Sequence, residues 1–486
     1  MRIVAVVSII LLIVLRFVNL TKIPIFIDEQ TYLKLGDIAV NDKDGLFLSV
    51  KYLVFPVVPW ILGISQLLFA SFLNVLFLGR SVMVIADLVS ALFIYLIGKK
   101  ILSPKYAIIC IIIYLIIPLN FFHSRIILLE PITNMFFLAG LYFYLGIFER
   151  NTQVEIRKSI SKILTAGVLF LLSFLSKPLA LVSFSALPMI AIFFWINDQK
   201  RNTKKLLFYL CILLFIFTFV LLLSLPLIFS VWQGFSDYRI SPDAHQMHVN
   251  FKKNLWLVWW WSKTYISPAI IFAVFISFIY AVFIKEWKVL WIIFWLFVVI
   301  FLESLIGTNF LPRHLFLISA PIAMAVGFLF VKILDRFGNV ITFLLMTLLF
   351  LIPLKVDAQI VLNPKNAPIA LEDKQQFFED WTSGIGLDRV ASQLKNISSE
   401  KEIFIYVESD GGFGWALAHL YDTGNSTILE SNQLNDRKSM LYLPKKDNIY
   451  VVLNREPDLS QDWPLELVGA YPKQTERRYI KIYKYQ

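Results

Sequence analysis

Two adjacent acidic residues, Asp28 and Glu29, follow the first apolar segment of the chain. A carboxylate at the start of a short helix accepts hydrogen bonds from free backbone amides, so a helix cap is the simplest interpretation of the pair. An acidic dipeptide by itself is only a weak signal of a catalytic or binding function.

Basic residues stand at the ends of several apolar segments, where a fixed positive charge can meet a phosphate group at the membrane surface. They are Arg80, Arg125, Lys177 and Arg313, with His314 beside Arg313 and Tyr32 beside the acidic pair as supporting candidates. Structural interpretations exist as well. Arg125 can pair with Glu130 at the helix start that Pro131 favours, and the Lys177 ammonium can extend from its apolar segment to water.

No pattern in the sequence indicates a metal site. His245-x-x-His248 has the spacing of two ligands on a helix, but no third ligand accompanies it. Gly411-Gly412-Phe413-Gly414 lacks the Lys-Ser/Thr of a phosphate loop, and we interpret it as a tight turn from a strand into a helix. Cys110 and Cys211 lie within apolar runs, which predicts two buried thiols.

Membrane-spanning helices are the elements that must position these residues. The 486-residue chain is 58% hydrophobic and 16% charged, and runs of about 18 or more apolar residues recur along most of its length. We predict about eleven spans, near residues 3–20, 80–98, 106–122, 131–148, 163–176, 178–196, 206–229, 268–284, 289–308, 314–332 and 339–354. Residues 53–77 are apolar but broken by prolines, which favours half-buried helices at the membrane interface, with a further span as the alternative.

The net charge of +11 follows membrane topology and does not form a patch of the kind that binds nucleic acid. Residues 1–354 carry a net +14, and residues 355–486 carry a net −3. With the N-terminus inside, the cytoplasmic ends of the spans collect 16 basic residues and five acidic ones. No small-residue cleavage pattern follows the first segment, which predicts a retained helix. This topology places the external loop 21–79 and the C-terminus on the non-cytoplasmic face.

Residues 355–486 have the composition of a soluble domain, and we predict a small α/β domain outside the membrane. The predicted strands lie at 402–407, 448–453 and 479–483, and Asp388 is the predicted cap of a helix. A second long external segment, 230–267, contains Trp259-Trp260-Trp261. These tryptophans predict an anchor at the membrane interface, with stacking on a sugar as the alternative.

Charged residues from six segments are therefore expected to meet on one face of the membrane, while Asp87 and Glu303 are expected away from it. Such charges are costly in a bilayer and need a function. A transporter or flippase of a lipid-linked substrate is an alternative, but it would place polar groups near mid-bilayer and show inverted repeats. A binding or assembly protein is a third reading, and it does not require the basic residues.

The order of the short motifs resembles the protein O-mannosyltransferases and the aminoarabinose transferases, GT-C membrane enzymes of glycosyltransferase family 39. The motifs are Asp28-Glu29, Gly79-Arg80-Ser81, Ser124-Arg125-x4-Glu130-Pro131, Ser176-Lys177-Pro178, Pro312-Arg313-His314 with Pro321, and a tail that begins Trp381-Thr-Ser-Gly-Ile-Gly386. One departure is Glu130, which stands where the family often has Asp.

The resemblance implies a GT-C domain over residues 1–354 and an inverting glycosyltransferase of the cytoplasmic membrane. Its donor would be a polyprenyl-phosphate sugar, with mannose or a related pentose or hexose. The acceptor would be a hydroxyl of a protein, glycan or lipid. Asp28 would be the general base, and Glu29 would orient it or bind the acceptor. Arg80, Arg125, Lys177 and Arg313 would bind the donor phosphate, with Glu130, His314 and Tyr32 in support. This chemistry requires no metal or other cofactor.

Overall fold

A computed structural model describes residues 2–42, 45–51, 54–148, 156–197, 207, 209–225, 250–306, 310–409, 412–434, 443, 448–455, 463–474 and 478–486. The helices of the apolar part are α1 (Arg2–Phe17), α2 (Ile27–Asn41), α3 (Leu48–Lys51), α4 (Val57–Phe69), α5 (Val75–Ile101), α6 (Pro104–Ile116), α7 (Pro118–His123), α8 (Glu130–Leu145), α9 (Ile156–Ser176), α10 (Ala180–Phe184), α11 (Ala186–Asn197), α12 (Tyr209–Leu225), α13 (Phe251–Tyr265), α14 (Pro268–Phe283), α15 (Trp287–Ile306), a 3-10 helix (Pro312–Ile318) and α16 (Ser319–Leu362). His245 and His248 lie outside the described residues.

Three segments of the described chain are long and apolar enough to cross a bilayer: Val75–Ile101, Trp287–Ile306 and Pro312–Leu362. The bent pair formed by α13 and α14, at 110°, would make a fourth if it were one span. Several shorter apolar helices accompany them, including Val6–Phe17, Pro104–Ile116 and Ile160–Ser176. The structure thus has the helical body of a membrane protein, while the count of eleven spans stays a prediction.

Breaks in the helices fall at proline and glycine. The predicted break at Lys177-Pro178 is confirmed, because α9 ends at Ser176 and α10 begins at Ala180. Gly338 has a φ of 78° within the segment Ser319–Leu362, between two predicted spans. The predicted span 106–122 is instead divided at Ile117, where Pro118 begins α7.

Helices α2 and α4 form a packed pair within the segment 21–79. Two glycines let them approach, since a Cβ atom on Gly36 would lie 2.9 Å from the backbone nitrogen of Gly63. Helix α2 begins immediately before Asp28. The α2–α4 pair therefore supports the helix that presents the acidic residues.

The C-terminal part contains α17 (Leu371–Lys374), a π-helical turn (Gln375–Glu379), α18 (Leu387–Ile397), α19 (Phe413–Leu420) and five strands. The strands are β1 (Ile403–Glu408), β2 (Ser426–Ser431), β3 (Ile449–Leu453), β4 (Leu465–Pro472) and β5 (Tyr479–Tyr485), in the order β2-β1-β3-β5-β4. Strand β1 is parallel to β2 and β3, while β5 is antiparallel to β3 and β4. The predicted α/β domain and its three strands are confirmed.

Several sequence expectations need correction. Gly386, at a φ of 94°, occupies the cap position of α18, so Asp388 lies inside the first helical turn. Cys110 is buried as expected, but Cys211 is exposed on its helix. Two of the three tryptophans, Trp259 and Trp260, are exposed, which suits an interface anchor. Trp261 is instead buried and donates a hydrogen bond to Glu372 at 2.8 Å.

Candidate active site

Asp28 is paired with Arg313, although 285 residues separate them in sequence. Arg313 Nη1 donates to Asp28 Oδ2 at 2.8 Å, and the two side chains are 17% and 30% exposed respectively. Asp28 lies in the first turn of α2 and Arg313 in the 3-10 helix, so two distant elements build the pair. Phe26 lies beneath it, with its ring 5.7 Å from the Arg313 guanidinium carbon. The pair is a partly open carboxylate with an adjacent cation.

A second ion pair joins Lys177 and Glu130. Lys177 Nζ lies 2.5 Å from Glu130 Oε1, and the side chains are 17% and 3% exposed. Glu130 begins α8, where the positive end of the helix favours a carboxylate. The ammonium occupies the break between α9 and α10, so it reaches the surface while its partner stays buried. This arrangement supplies one accessible cation on a fixed support.

The two pairs belong to one electrostatic cluster, because the 3-10 helix that carries Arg313 packs against α8 and α15. Glu130 interacts electrostatically with both Lys177 and Arg313. Tyr32 faces the same charges, and its burial together with the Asp28 carboxylate raises the pKa of its hydroxyl group. The Tyr32 hydroxyl therefore stays protonated and can act as a hydrogen-bond donor in the cluster.

Two further residues extend the cluster toward α15. His314 is next to Arg313, and the charges of Arg313 and Lys177 both act on it. Glu303 is buried in the last turns of α15, within electrostatic reach of Lys177 and Glu130. The expectation that Glu303 lies away from the external charges is therefore corrected. Within the described chain, neither oxygen of Glu303 has a hydrogen-bond partner.

Glu29 and Arg80 form a separate, fully buried pair. Arg80 donates from Nε and Nη2 to the two oxygens of Glu29, at 2.8 and 2.7 Å. The backbone amides of Phe26 and Ile127 also donate to this carboxylate. Arg80 makes further hydrogen bonds to the carbonyl groups of Leu20, Ile23 and Pro24. The pair fastens the segment before α2 onto α5, and its groups are occupied by protein.

Arg125 is committed to the end of α1. Its two terminal nitrogens donate to the carbonyl oxygens of Leu15, Arg16, Val18 and Asn19, at 2.7 to 3.1 Å. The carbonyl groups of Leu15 and Arg16 belong to the last turn of α1, where helix carbonyls lack partners, and those of Val18 and Asn19 follow the helix. A guanidinium group satisfies such a set of acceptors well. The side chain is completely buried. The structure therefore surrounds Arg125 with backbone acceptors, in place of the open phosphate site that was expected.

Of the predicted site residues, Asp28, Tyr32, Glu130, Lys177, Arg313 and His314 share one cluster. Glu29, Arg80 and Arg125 lie in the buried supports beside it. Sequence reasoning missed Arg16, which pairs with Asp87 at 2.7 Å and donates to Ser124. Its position in the last turn of an apolar helix was the available signal. Within the described residues, no group of three His, Cys, Asp or Glu side chains could hold a metal ion.

A family model matches part of the chain. Residues 54–224 match the family model described as dolichyl-phosphate-mannose-protein mannosyltransferase. This stretch contains Arg80, Arg125, Glu130 and Lys177, while Asp28 lies before it. A comparison with curated protein sequences finds no match.

Solved structures provide the fold. The crystal structure of ArnT from Cupriavidus metallidurans bound to undecaprenyl phosphate matches with a TM-score of 0.60 and 13% sequence identity, covering 98% of this chain and 97% of that one. The chain has the GT-C fold. The apo ArnT structure agrees, with a TM-score of 0.59 and 13% identity, covering 99% and 97% of the two chains.

A second enzyme structure also matches this chain, with a TM-score of 0.52 and 10% identity. It is the archaeal oligosaccharyltransferase AglB from Archaeoglobus fulgidus, in complex with an inhibitory peptide and a dolichol-phosphate. The match covers 87% of this chain and 64% of AglB. The predicted fold class and the predicted resemblance are thus confirmed.

Proposed function

We propose that this chain is an inverting glycosyltransferase that moves a sugar from a polyprenyl-phosphate donor to an acceptor hydroxyl. The family match over residues 54–224 and the GT-C fold support the class of enzyme and the lipid-linked donor. The observation that carries the roles of individual residues is the clustering of the Asp28–Arg313 and Lys177–Glu130 pairs. One pair offers a partly open carboxylate, and the other offers an accessible cation.

Asp28 is the proposed general base. Its carboxylate takes the proton of the acceptor hydroxyl as that oxygen attacks the anomeric carbon of the sugar. The bond from the anomeric carbon to the phosphate oxygen breaks at the same time, and its electron pair stays on the phosphate. Attack from the face opposite the phosphate inverts the configuration. Arg313 holds Asp28 Oδ2 in place, which leaves Oδ1 to receive the proton.

Lys177 and Arg313 are the proposed ligands of the departing phosphate. Negative charge accumulates on the phosphate oxygens in the transition state, and fixed cations stabilise it without reorganisation. Both side chains are partly exposed, and within the described residues each has one carboxylate as its hydrogen-bonding partner. A phosphate therefore has open donors to approach. Glu130 and Tyr32 are proposed to keep these cations in position, with His314 in support.

The remaining predicted residues receive supporting roles in this proposal. Glu29 and Arg80 hold the start of α2, so Glu29 orients Asp28 through the backbone and does not bind the acceptor. Arg125 closes the end of α1 with four hydrogen bonds to carbonyl groups. The phosphate is thus assigned to two of the four basic residues that the sequence suggested.

The lipid carrier is proposed to be a polyprenyl monophosphate, as in the ArnT and AglB structures, which hold undecaprenyl phosphate and dolichol-phosphate. The sugar is proposed to be mannose or a related pentose or hexose. The acceptor is a hydroxyl of a protein, glycan or lipid. We further propose that the protein lies in the cytoplasmic membrane, with its N-terminus inside and its C-terminal domain outside. A C-terminal reporter that is active only outside the cytoplasm would test this orientation.

A transfer assay tests the proposal. The full-length protein in lipid nanodiscs is incubated with radiolabelled polyprenyl-phosphate mannose, then with pentose and other hexose donors, and with membrane and envelope fractions as the acceptor source. The expected result is label transferred from at least one donor into an acceptor, with free polyprenyl phosphate released. Movement of intact donor lipid between bilayer leaflets without cleavage would instead support a flippase.

A further inference from the structure

A short loop of the C-terminal domain pairs with the backbone that leads into Asp28. The Ile27 amide donates to the Thr382 carbonyl at 3.0 Å, and the Gly384 amide donates to the Ile25 carbonyl at 2.8 Å. Phe26 and Ser383 thereby form an antiparallel bridge. The residue before Asp28 is thus bound to a domain more than 350 positions away in sequence.

The contact between this loop and the Asp28 segment is close. A Cβ atom on Gly384 would lie 2.5 Å from Ile25 Cγ2 and 2.6 Å from the Ile25 carbonyl oxygen, so only glycine fits. The Phe26 ring packs edge-on against Phe377, with ring centroids 4.7 Å apart. The loop therefore fixes the position and the direction of the segment that leads into α2.

Lys473 holds the other side of the loop. It follows strand β4 directly, is 2% exposed, and donates from Nζ to the carbonyl oxygens of Ser383 and Trp381. Asn454 donates to the same Trp381 carbonyl at 2.8 Å. The backbone of Trp381–Gly384 is therefore held between Lys473 and the residues before Asp28.

The Lys473 amine is removed from water. Burial lowers the pKa of its ammonium group to about 7, against the opposing effect of the Asp380 and Glu408 carboxylates. On the same side, the Arg455 guanidinium lies 4.0 Å from the centre of the Trp381 ring, and Arg478 contacts Asp380. Burying a lysine side chain costs free energy, and the hydrogen bonds of Lys473 to the loop carbonyls offset part of that cost.

We infer that Lys473 is a positioning residue for Asp28, and that the Trp381–Gly384 loop carries its effect from the C-terminal domain to the start of α2. The domain is then part of the support of the active site. This inference rests on the proposed role of Asp28 as general base. Lys473 itself contacts backbone carbonyls and is given no contact with either substrate.

The test compares Lys473→Met with Lys395→Met in the full-length protein in nanodiscs. Methionine keeps most of the length of the lysine side chain but removes its donors, and Lys395 belongs to an exposed ion pair with Asp422 in the same domain. A displacement of about 1 Å at a reacting group lowers a rate by about 10²-fold. We expect kcat of Lys473→Met to fall by about 10- to 100-fold, with KM for the donor within about twofold of the wild-type value. Lys395→Met should keep kcat.

A second pair of variants acts through the loop without changing Lys473. Gly384→Ala forces the loop away from Ile25, and it should lower kcat in the same manner. Gly414→Ala is equally crowded, with a Cβ atom 2.6 Å from Val407 Cγ2, but its closest neighbours belong to the sheet. This control should affect the unfolding temperature more than kcat.

Binding of undecaprenyl phosphate, measured separately, distinguishes positioning from a general loss of structure. Positioning predicts that Lys473→Met and Gly384→Ala bind this lipid as the wild type does and transfer sugar slowly. The inference is overturned if both variants keep kcat within about twofold, or if lipid binding falls in proportion to kcat. If Asp28→Asn retains full activity, the proposed function has failed, whatever the outcome for Lys473.

Discussion

Replacing Lys177 by methionine separates the catalytic and structural roles of one ion pair. The ammonium group is 17% exposed, lies 2.5 Å from Glu130, and is the proposed ligand of the departing phosphate. Loss of one preorganised donor at a developing anion lowers kcat by about 10²- to 10³-fold, equivalent to about 3–4 kcal/mol. We therefore expect transfer by Lys177→Met to be slower by this factor.

The same substitution also affects stability, because it leaves Glu130 buried without its partner. Removing one member of a buried ion pair typically destabilises a protein by about 3–5 kcal/mol. Adding Glu130→Gln removes the unpaired charge, so the double variant should recover most of the lost stability. It should not recover the rate, because no cation returns to the phosphate site.

The assay measures initial rates of transfer from a radiolabelled polyprenyl-phosphate sugar, together with the unfolding temperature of each variant in nanodiscs. Glu130→Gln alone serves as the control for loss of the carboxylate. A stable Lys177→Met/Glu130→Gln protein that transfers sugar within about threefold of the wild-type rate would refute the role of Lys177 at the phosphate.

Three further predictions concern the supports of the site. Arg125→Met should lower the unfolding temperature, because four carbonyl groups in and just after the last turn of α1 lose their hydrogen bonds from Arg125, while kcat per folded molecule changes by less than about threefold. Glu29→Gln should weaken the ionic hydrogen bonds to Arg80 and lower both the unfolding temperature and kcat. A lower unfolding temperature with an unchanged kcat would contradict the positioning role of Glu29. Because the folded-state pKa of Lys473 is about 7, below the ordinary 10.5, the unfolded chain binds more protons between these values. Wild-type stability should therefore rise with pH across this window relative to Lys473→Met, by at most about 1.4 kcal/mol per pH unit; an equal pH dependence in both proteins would contradict the assignment.

The sequence predicted that several charges at the ends of apolar segments would gather in one place, because membrane chemistry restricts where charges can lie. Lys177 stands beside a proline that divides an apolar run, Arg313 stands beside the proline that begins the tenth predicted span, and both side chains are partly exposed in the structure. Hydropathy and helix-breaking residues therefore located the cluster, including Asp28 and Glu130. They did not identify the partner of each charge, since the pairs join residues up to 285 positions apart.

The roles of Arg80 and Arg125 could not be assigned without the three-dimensional structure. Both stand at the same kind of segment end as Lys177, so their sequence surroundings are equivalent. In the fold, each guanidinium meets carbonyl oxygens at the end of α1 or in the segment that follows it. A buried guanidinium group whose terminal nitrogens already donate to carbonyl oxygens cannot bind a ligand. This distinction depends on the path of a distant segment, which local patterns do not encode.

The sequence predicted the class of the C-terminal domain but only three of its five strands. Strands β1, β3 and β5 are rich in β-branched and aromatic residues, and the sequence predicted them within one or two residues. Strands β2 and β4 contain polar or small residues and lie at the two edges of the sheet, so their pattern is weak. The contact of this domain with Phe26 was not predictable, because it depends on backbone hydrogen bonds that any residue can make.

The central claim is that Asp28 takes the proton of the acceptor, and Asp28→Asn tests it most directly. Asparagine keeps the size of the side chain and can still accept a hydrogen bond from Arg313, but it cannot act as the base. The matched control is Asp37→Asn on the same helix, whose carboxylate contacts Asn41 and Trp415 outside the cluster. We predict that transfer by Asp28→Asn falls by about 10²- to 10⁴-fold while undecaprenyl phosphate binding and the Asp37→Asn rate are preserved. Transfer by Asp28→Asn at the wild-type rate would contradict the account.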